Sequence, residues 1–210
     1  MTTSSISDRL RSATAVAHQQ AESSTFVGDL MSGRLDAHQY RRLAEQLYFV
    51  YVALESVGDG LAGDPVADAV LDDRLRRAPR LAADLAELGV DPVAVTPLSA
   101  TRRYVEDIES TRTDAARFVA HHYTRYLGDL SGGQIVAHHI RQHYGLDESA
   151  LSFYSFDGID KLKRYKDAYR ERIDALPLDG DGVERLVAAA IGAFGHNQAL
   201  FAELASASVG

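Results

Sequence analysis

An all-α bundle in a single domain is the fold class this sequence predicts, and three observations predict it. Apolar residues recur at three- and four-residue spacing through nearly all of the 210 residues. No alternating strand pattern runs beyond a few residues, and residues suited to starting or stopping helices fall between the periodic stretches. No internal repeat or low-complexity linker divides the chain, and its length suffices for one sizeable core.

Taken in order, residues 5–22 place Ile6, Leu10, Ala13 and Ala17 on one stripe. Residues 36–60 begin at Asp36, a suitable N-cap, and carry Leu43, Leu47, Val50, Tyr51 and Leu54. Helical segments follow at 67–89 and 98–111. The longest runs from about 114 to 143 and stops at Gly145, a residue type that tolerates the left-handed position after a helix. Residues 159–176 and 182–205 complete the set, separated by Pro177 and the glycine-rich stretch 179–182.

Composition narrows the function classes. Lys+Arg 22 against Asp+Glu 30 gives a net charge of −8, which argues against a general nucleic-acid binder. There are no cysteines, so disulfides, thiolate metal sites and cysteine nucleophiles are excluded. The first twenty residues lack the apolar core of a signal peptide, and no apolar run approaches the ~20 residues of a membrane span. A cytoplasmic protein is expected. All three lysines fall within 161–166 (KLKRYK), next to Arg170 and Arg172. That patch reads either as a solvated helix face or as a clamp for an anionic ligand.

The least ordinary stretch is 125–134, RYLGDLSGGQ, inside the longest helix. An interior glycine costs ~1 kcal/mol relative to alanine, so Gly128, Gly132 and Gly133 carry a burden that something must require. Gly128 and Gly132 are four apart and open one smooth face. A tight helix crossing, a kink and a flat ligand lying on bare backbone all account for it. Arg125 and Asp129 form an i,i+4 pair beside that face, able to act as a surface ion pair or to organise water in a cavity. LSGGQ also occurs in the ATPases of ABC transporters, but the phosphate-binding GxxxxGK[ST] sequence that must accompany it is missing here.

His18 sits at the edge of the buried stripe of the first helix. It suits either a hydrogen-bonded core position or an iron ligand, since neutral imidazole is the usual protein ligand of heme. Arg11 lies two turns earlier on the same face, about 10 Å away along the axis, within reach of a carboxylate on a ligand centred at His18. Glu22, at i+4, is placed to touch water or the histidine's surroundings. His139 and His143 share a helix face without the glutamate of a zinc HExxH site, and with His38, His121, His122, His138 and His196 they read as surface or packing residues.

With both features in view, the sequence resembles the heme oxygenase family, and most closely its soluble bacterial members, over about residues 5–205. Thr14-Ala-Val-Ala-His18-Gln-Gln-Ala-Glu22 is similar to the family's proximal segment, and Tyr123 through Gln134 to its distal helix. YVALE at 51–55 and FYSFDGIDKLKRYKDAYR, ending at Arg170, are similar to further family segments in the same order.

The resemblance implies a heme sandwiched between the first helix and a glycine-kinked distal helix. It implies oxidative cleavage at the α-meso carbon to biliverdin, carbon monoxide and ferrous iron, using O2 and an external electron donor. His18 would then be the proximal iron ligand, with Glu22 beside it. Gly128, Ser131 and Gly132 would lie against the porphyrin. Asp129 would anchor a water network with Arg125 and Tyr51. Lys166 and Arg170, with Arg11 and Tyr123, would bind heme propionates, and Phe194 and Asn197 would line the distal pocket.

Two departures are expected to mark a soluble enzyme. Ala15 stands where some animal members carry a second lysine, and the chain ends at Gly210 without their membrane anchor. The donor is expected to be a ferredoxin or a flavoprotein reductase, and nothing in the sequence demands more than a monomer. A heme carrier or O2 sensor on the same fold is the alternative, and the Asp129 network distinguishes it, because carriage alone needs no proton delivery.

Overall fold

Short polar side chains set where the helices begin. Ser5, Ser24, Asp36, Asp64 and Asp114 each accept a hydrogen bond from a backbone N–H two or three residues on, satisfying donors that the first turn leaves open. The computed structural model describes residues 4–206. Its helices are α1 (Ile6–Glu22), α2 (Thr25–Met31), α3 (Ala37–Gly60), α4 (Pro65–Asp68), α5 (Ala78–Glu87), α6 (Ser99–Glu109), α7 (Ala115–His122), α8 (Gly128–Tyr144), α9 (Leu162–Asp174) and α10 (Gly180–Ser206). Among the described residues there is no strand. The all-α class is what the periodicity predicts, and Gly145 ends α8 with φ +64°, as expected of a residue that terminates a helix in the left-handed region.

Three elements differ from expectation. The segment 67–89 is not one helix: α4 stops at Asp68, a single 3₁₀ turn occupies Asp73–Leu75, and α5 starts at Ala78. Pro79 in the first turn of α5 explains the break, because proline is accommodated at a helix start and not in its interior. A further helix, α2, lies where none is expected; at seven residues with an internal Gly28 it is too short to show a period. Third, α7 and α8 are joined by a π-helical turn, Tyr123–Leu127, so the long helix is continuous but locally over-wide.

Helix α10 packs on α1, α7, α6 and α2, while α3 packs on α5 and α6. Ala190 and Ala193 are fully buried in α10, where small side chains let neighbouring helices approach. The core between these helices is built by Leu47, Val50 and Leu54 of α3, Phe118 and Val119 of α7, and Leu186 and Leu200 of α10. Polar groups staple the helix ends. Glu203 of α10 accepts from Ser99 N and Ala100 N, capping α6, which has no side-chain cap of its own. Arg77, buried, donates to the carbonyls of Leu75, Phe153, Ser155 and Arg74. Asp84 accepts from Ser152 N and Phe153 N at 2.9 and 2.8 Å. Together these hold segment 150–156 under α8, where Gln134 Nε2 donates to Tyr154 O.

Helix α1 is fastened along one side only. Ser7 N donates to Asp174 Oδ1 at 2.7 Å, and Gln198 Nε2 donates to Ala17 O at 2.9 Å. Its buried residues are Leu10, Thr14 and Ala21, and Arg11, Ala15, His18 and Glu22 are exposed. No helix among the described residues is long and apolar enough to cross a membrane.

Candidate functional site

Helices α1 and α8 both pack on α2 and α9 and scarcely touch each other. The faces they leave bare carry the unusual residues of the sequence. A Cβ built on Gly128 or Gly132 meets nothing within 4 Å, so neither glycine serves a helix crossing. Gly133 differs: its Cβ would stand 3.3 Å from Tyr154 Cδ1, which makes it a packing glycine. Of the three accounts of the glycine stretch, crossing thus applies to Gly133 alone. The irregularity of the helix lies in the π turn just before Gly128. What Gly128 and Gly132 provide is open backbone, bordered on the same face by Ile135, 58 % exposed. A flat apolar molecule fits such a surface, and a side chain at 128 or 132 would take its space.

Immediately behind that face lies a buried polar cluster. Arg125, on the π turn, donates from Nε and Nη2 to Tyr51 Oη at 3.1 and 3.0 Å and from Nη1 to Asn197 Oδ1 at 3.0 Å. Its Nη2 lies 3.5 Å from Asp129 Oδ1. Tyr51 in turn donates its hydroxyl to Asp129 Oδ2. Tyr51 comes from α3, Asn197 from α10 and Asp129 from the first turn of α8, so three packed helices fix the geometry.

The charges follow from that burial. Burial pushes the Asp129 carboxyl above the usual range, and Arg125 and the Tyr51 hydrogen bond pull it back only in part. Burial opposes the Arg125 charge, but Tyr51 and Asp129 outweigh it and keep the guanidinium protonated. Burial likewise holds the Tyr51 phenol protonated, as a donor. Asp129 is therefore pinned through Oδ2 by Tyr51, while Oδ1 lies 3.5 Å from Arg125 and keeps capacity to accept a further hydrogen bond. Tyr126 extends the cluster: its ring meets Tyr51 edge-on at 5.6 Å, and its hydroxyl donates to Glu55 Oε1 at 3.2 Å.

His18 lies on the free side of α1 with its side chain 51 % exposed. Nδ1 is 3.4 Å from Glu22 Oε2, an arrangement that favours a proton on Nδ1 and leaves the Nε2 lone pair for a metal. Phe194, expected with Asn197 in a distal pocket, instead meets the His18 ring edge-on, with centroids 5.5 Å apart.

Cations gather at one end of the cleft. Lys166 Nζ donates to Ser131 Oγ at 3.2 Å, linking α9 to α8. Arg170 pairs with Asp167 and Arg11 with Asp8, all of them solvent-facing. Burial raises the Tyr123 phenol, and the positive charges of Arg170 and Arg11 oppose that shift. Arg11, Lys166, Arg170 and Tyr123 carry the charge and hydrogen-bond donors that suit ligand carboxylates.

The structure thus joins Tyr51, Arg125, Asp129 and Asn197 in one cluster, His18, Glu22 and Phe194 in a second, and Ser131 with Lys166 in a third. Sequence reasoning missed Tyr126, Glu55 and Ile135. Ile135 follows Gly128 by seven residues, a spacing that marks the same helix face. Of the other histidines, His121 and His122 are buried, and His122 Nδ1 bonds Tyr169 Oη at 2.8 Å. The His139 and His143 rings stack at 5.8 Å.

Comparison with known proteins gives the family. The profile of the family described as heme oxygenase matches residues 4–203. The heme oxygenase of Porphyra purpurea is 38% identical over 210 residues, covering 98% of this chain and 89% of that protein. The crystal structure of heme oxygenase-1 from the cyanobacterium Synechocystis, in complex with heme, superposes with a TM-score of 0.92 at 33% identity, covering 98% of this chain and 95% of that one. The heme oxygenase of Leptospira interrogans gives 0.90 at 33% identity, covering 95% and 100%. With the profile matched from α1 into α10 and the fold shared along the whole chain, this protein belongs to the heme oxygenase family, oxidoreductases that degrade heme.

Proposed function

We propose that this chain, as one cytoplasmic domain acting as a monomer, cleaves heme at the α-meso carbon to biliverdin, carbon monoxide and ferrous iron. O2 and electrons from a ferredoxin or a flavoprotein reductase would drive the reaction. The observation that carries the reading is the Tyr51–Arg125–Asp129 cluster, buried directly behind the open backbone of Gly128 and Gly132. Binding alone would need the bare face and His18; it would not need a pinned carboxylate.

Bound heme supplies the redox chemistry, as substrate and cofactor together. The protein's own groups orient it and manage protons. His18 Nε2 would take the iron, and Arg11, Lys166, Arg170 and Tyr123 would hold the propionates, fixing which meso edge faces the distal helix. Gly128 and Gly132 admit the ring to the helix backbone, while Ser131 steadies Lys166. Asp129 Oδ1 would hold water at the distal face and pass protons to it, its position set by Tyr51 and Arg125 and, through Arg125, by Asn197.

Hemin mixed with the protein and a reductant in air tests this. Biliverdin and carbon monoxide are the expected products; a stable heme complex without either supports the carrier reading instead. His18→Ala is expected to change the ligand-field spectrum of the complex, and an unchanged spectrum would remove His18 as the ligand.

A further inference from the structure

Helix α8 carries a second set of chemically capable side chains beyond its bare glycines. Gly128, Gly132, Ile135, His139 and His143 follow one another at three- and four-residue spacing, so all five share one face of the helix. His139 stands about 10 Å along the axis from Gly132, past the end of the open backbone, and His143 one turn further. The heme site uses neither histidine.

Their geometry is that of a chelating pair. Two histidines four apart on a helix present their rings side by side, the spacing by which zinc is held in HExxH sites. Here the two rings lie nearly parallel, at an interplanar angle of 15° with centroids 5.8 Å apart. His139 is part-buried and His143 exposed. His139 Nδ1 is buried without a hydrogen-bond partner. A Cβ built on Gly33, in the turn after α2, would meet His143 Cγ and Nδ1 at 2.7 Å, so that ring lies against the Gly33 backbone by its Nδ1 edge. Each ring thus turns Nδ1 toward the protein, and Nε2 is the nitrogen it has to offer an ion. The cations nearest in sequence do not oppose one: Arg34 is paired with Asp29 and Arg141 with Glu148. Among the described residues no third histidine or carboxylate completes the pair, so water would fill the remaining positions. Such an open site exchanges its ion instead of keeping it.

We propose that His139 and His143 bind a first-row divalent cation, and that they form the first stop for the ferrous iron that leaves the heme cleft along the exposed face of α8. The iron route rests on the heme-cleaving function set out above; the cation site does not. Two neutral imidazoles and water suit Fe2+ and Zn2+ alike. Binding changes no oxidation state: water leaves the ion, and each ring gives a lone pair.

Zinc titration of the heme-free protein, followed by the histidine ring C–H resonances, tests the site. The His139 and His143 resonances are expected to move together at the lowest zinc concentrations. Losing even an outer partner of a metal ligand costs about 10–100-fold in affinity, so His139→Gln and His143→Gln, each removing a ligand, should weaken binding at least as much. His143 is exposed, so its replacement leaves the core intact should His139→Gln fold poorly. Zinc that moves the other histidines first, or that binds both variants as tightly as wild type, overturns the site. The iron route is tested in single-turnover heme degradation with ascorbate and a ferrous chelator. Zinc at the pair is expected to delay chelatable iron in wild type and not in His143→Gln, with heme loss unchanged in both. An equal delay in both proteins, or none in wild type, overturns the route. A protein that binds zinc at the pair but never degrades heme sinks the enzymatic reading and the iron route with it, while the cation site stands.

Discussion

Replacing the three glycines of α8 by alanine, one at a time, should separate their roles. In a helix interior alanine is favoured over glycine by about 1 kcal/mol. A Cβ on Gly132 meets nothing within 4 Å, so Gly132→Ala is expected to collect nearly all of that gain. Gly128 has helical backbone angles (φ −62°, ψ −51°) and the same open surroundings, so Gly128→Ala should behave alike. For a domain of this size 1 kcal/mol corresponds to a Tm rise of roughly 2–4 °C. Gly133→Ala sets its methyl 3.3 Å from the Tyr154 ring, and that crowding should cancel much of the gain. Heme affinity is expected to run the other way. A methyl at 128 or 132 occupies ligand space, and overpacking of about 1–3 kcal/mol weakens binding by roughly fivefold to a hundredfold. Thermal unfolding without heme and Soret titration with it make the pair of assays. If Gly132→Ala is no more stable than wild type, or binds heme as tightly, the claim that the glycine is kept for the ligand is wrong.

Three other perturbations have definite expectations. Asp129→Ala should retain heme binding within a few-fold while biliverdin yield per turnover falls by about 10²-fold; wild-type yield by absorbance would discard the water-anchoring role. Arg77→Met removes a buried guanidinium from four carbonyls and should cost about 3 kcal/mol or more in urea unfolding; a change under about 1 kcal/mol would mean that water replaces it freely. Asp107, held down at about 2 chiefly by His121, contributes stability that is complete above its unfolded value of 3.8 and lost as pH falls through about 2. Wild type should therefore lose more stability than Asp107→Asn between pH 5 and 2, and parallel acid profiles would contradict the assignment.

What the sequence disclosed depended on whether a local pattern carries the feature. The helices at 6–22, 37–60 and 99–109 are periodic over three turns or more, and the first two are capped by Ser5 and Asp36, so they are legible. The break at Pro79 was equally written in the chain, but the apolar spacing on either side of it reads as continuous. The π turn leaves no trace, because widening the ladder by one residue needs no special side chain; Tyr123–Leu127 reads as ordinary helix. The costly glycines announce a site, yet their shared composition hides that Gly133 packs against Tyr154 while Gly128 and Gly132 face open space. Contacts between distant residues are the least legible. Tyr51 and Asp129 are 78 positions apart, and Arg125 and Asn197 are 72, so their meeting depends on how α3, α8 and α10 cross. His18 by itself fits a core histidine as well as a ligand; its free exposure beside Glu22 is a property of the fold.

The two walls of the cleft are prepared to different degrees, and this asymmetry has a measurable consequence. On the distal wall every residue from His121 to Leu127 is buried, and Arg125 is held by partners on three helices before any ligand arrives. Loosening one partner there would strand a buried charge, a cost that keeps the cluster rigid. On the proximal wall α1 buries only Leu10, Thr14 and Ala21 of its seventeen residues, and His18 and Arg11, the side chains proposed to meet the ligand, are solvated. Ordering on ligand binding should therefore fall almost wholly on α1 and on the Lys166–Arg170 face of α9. Amide hydrogen exchange should slow markedly over 11–22 when heme is added and change little over 121–129, where protection is already high. If instead the 121–129 amides gain protection as much as those of α1, the distal cluster is assembled by the ligand and not by the fold. The buried charges would then be a consequence of binding, and Asp129 could not be set in place in advance of the chemistry it serves.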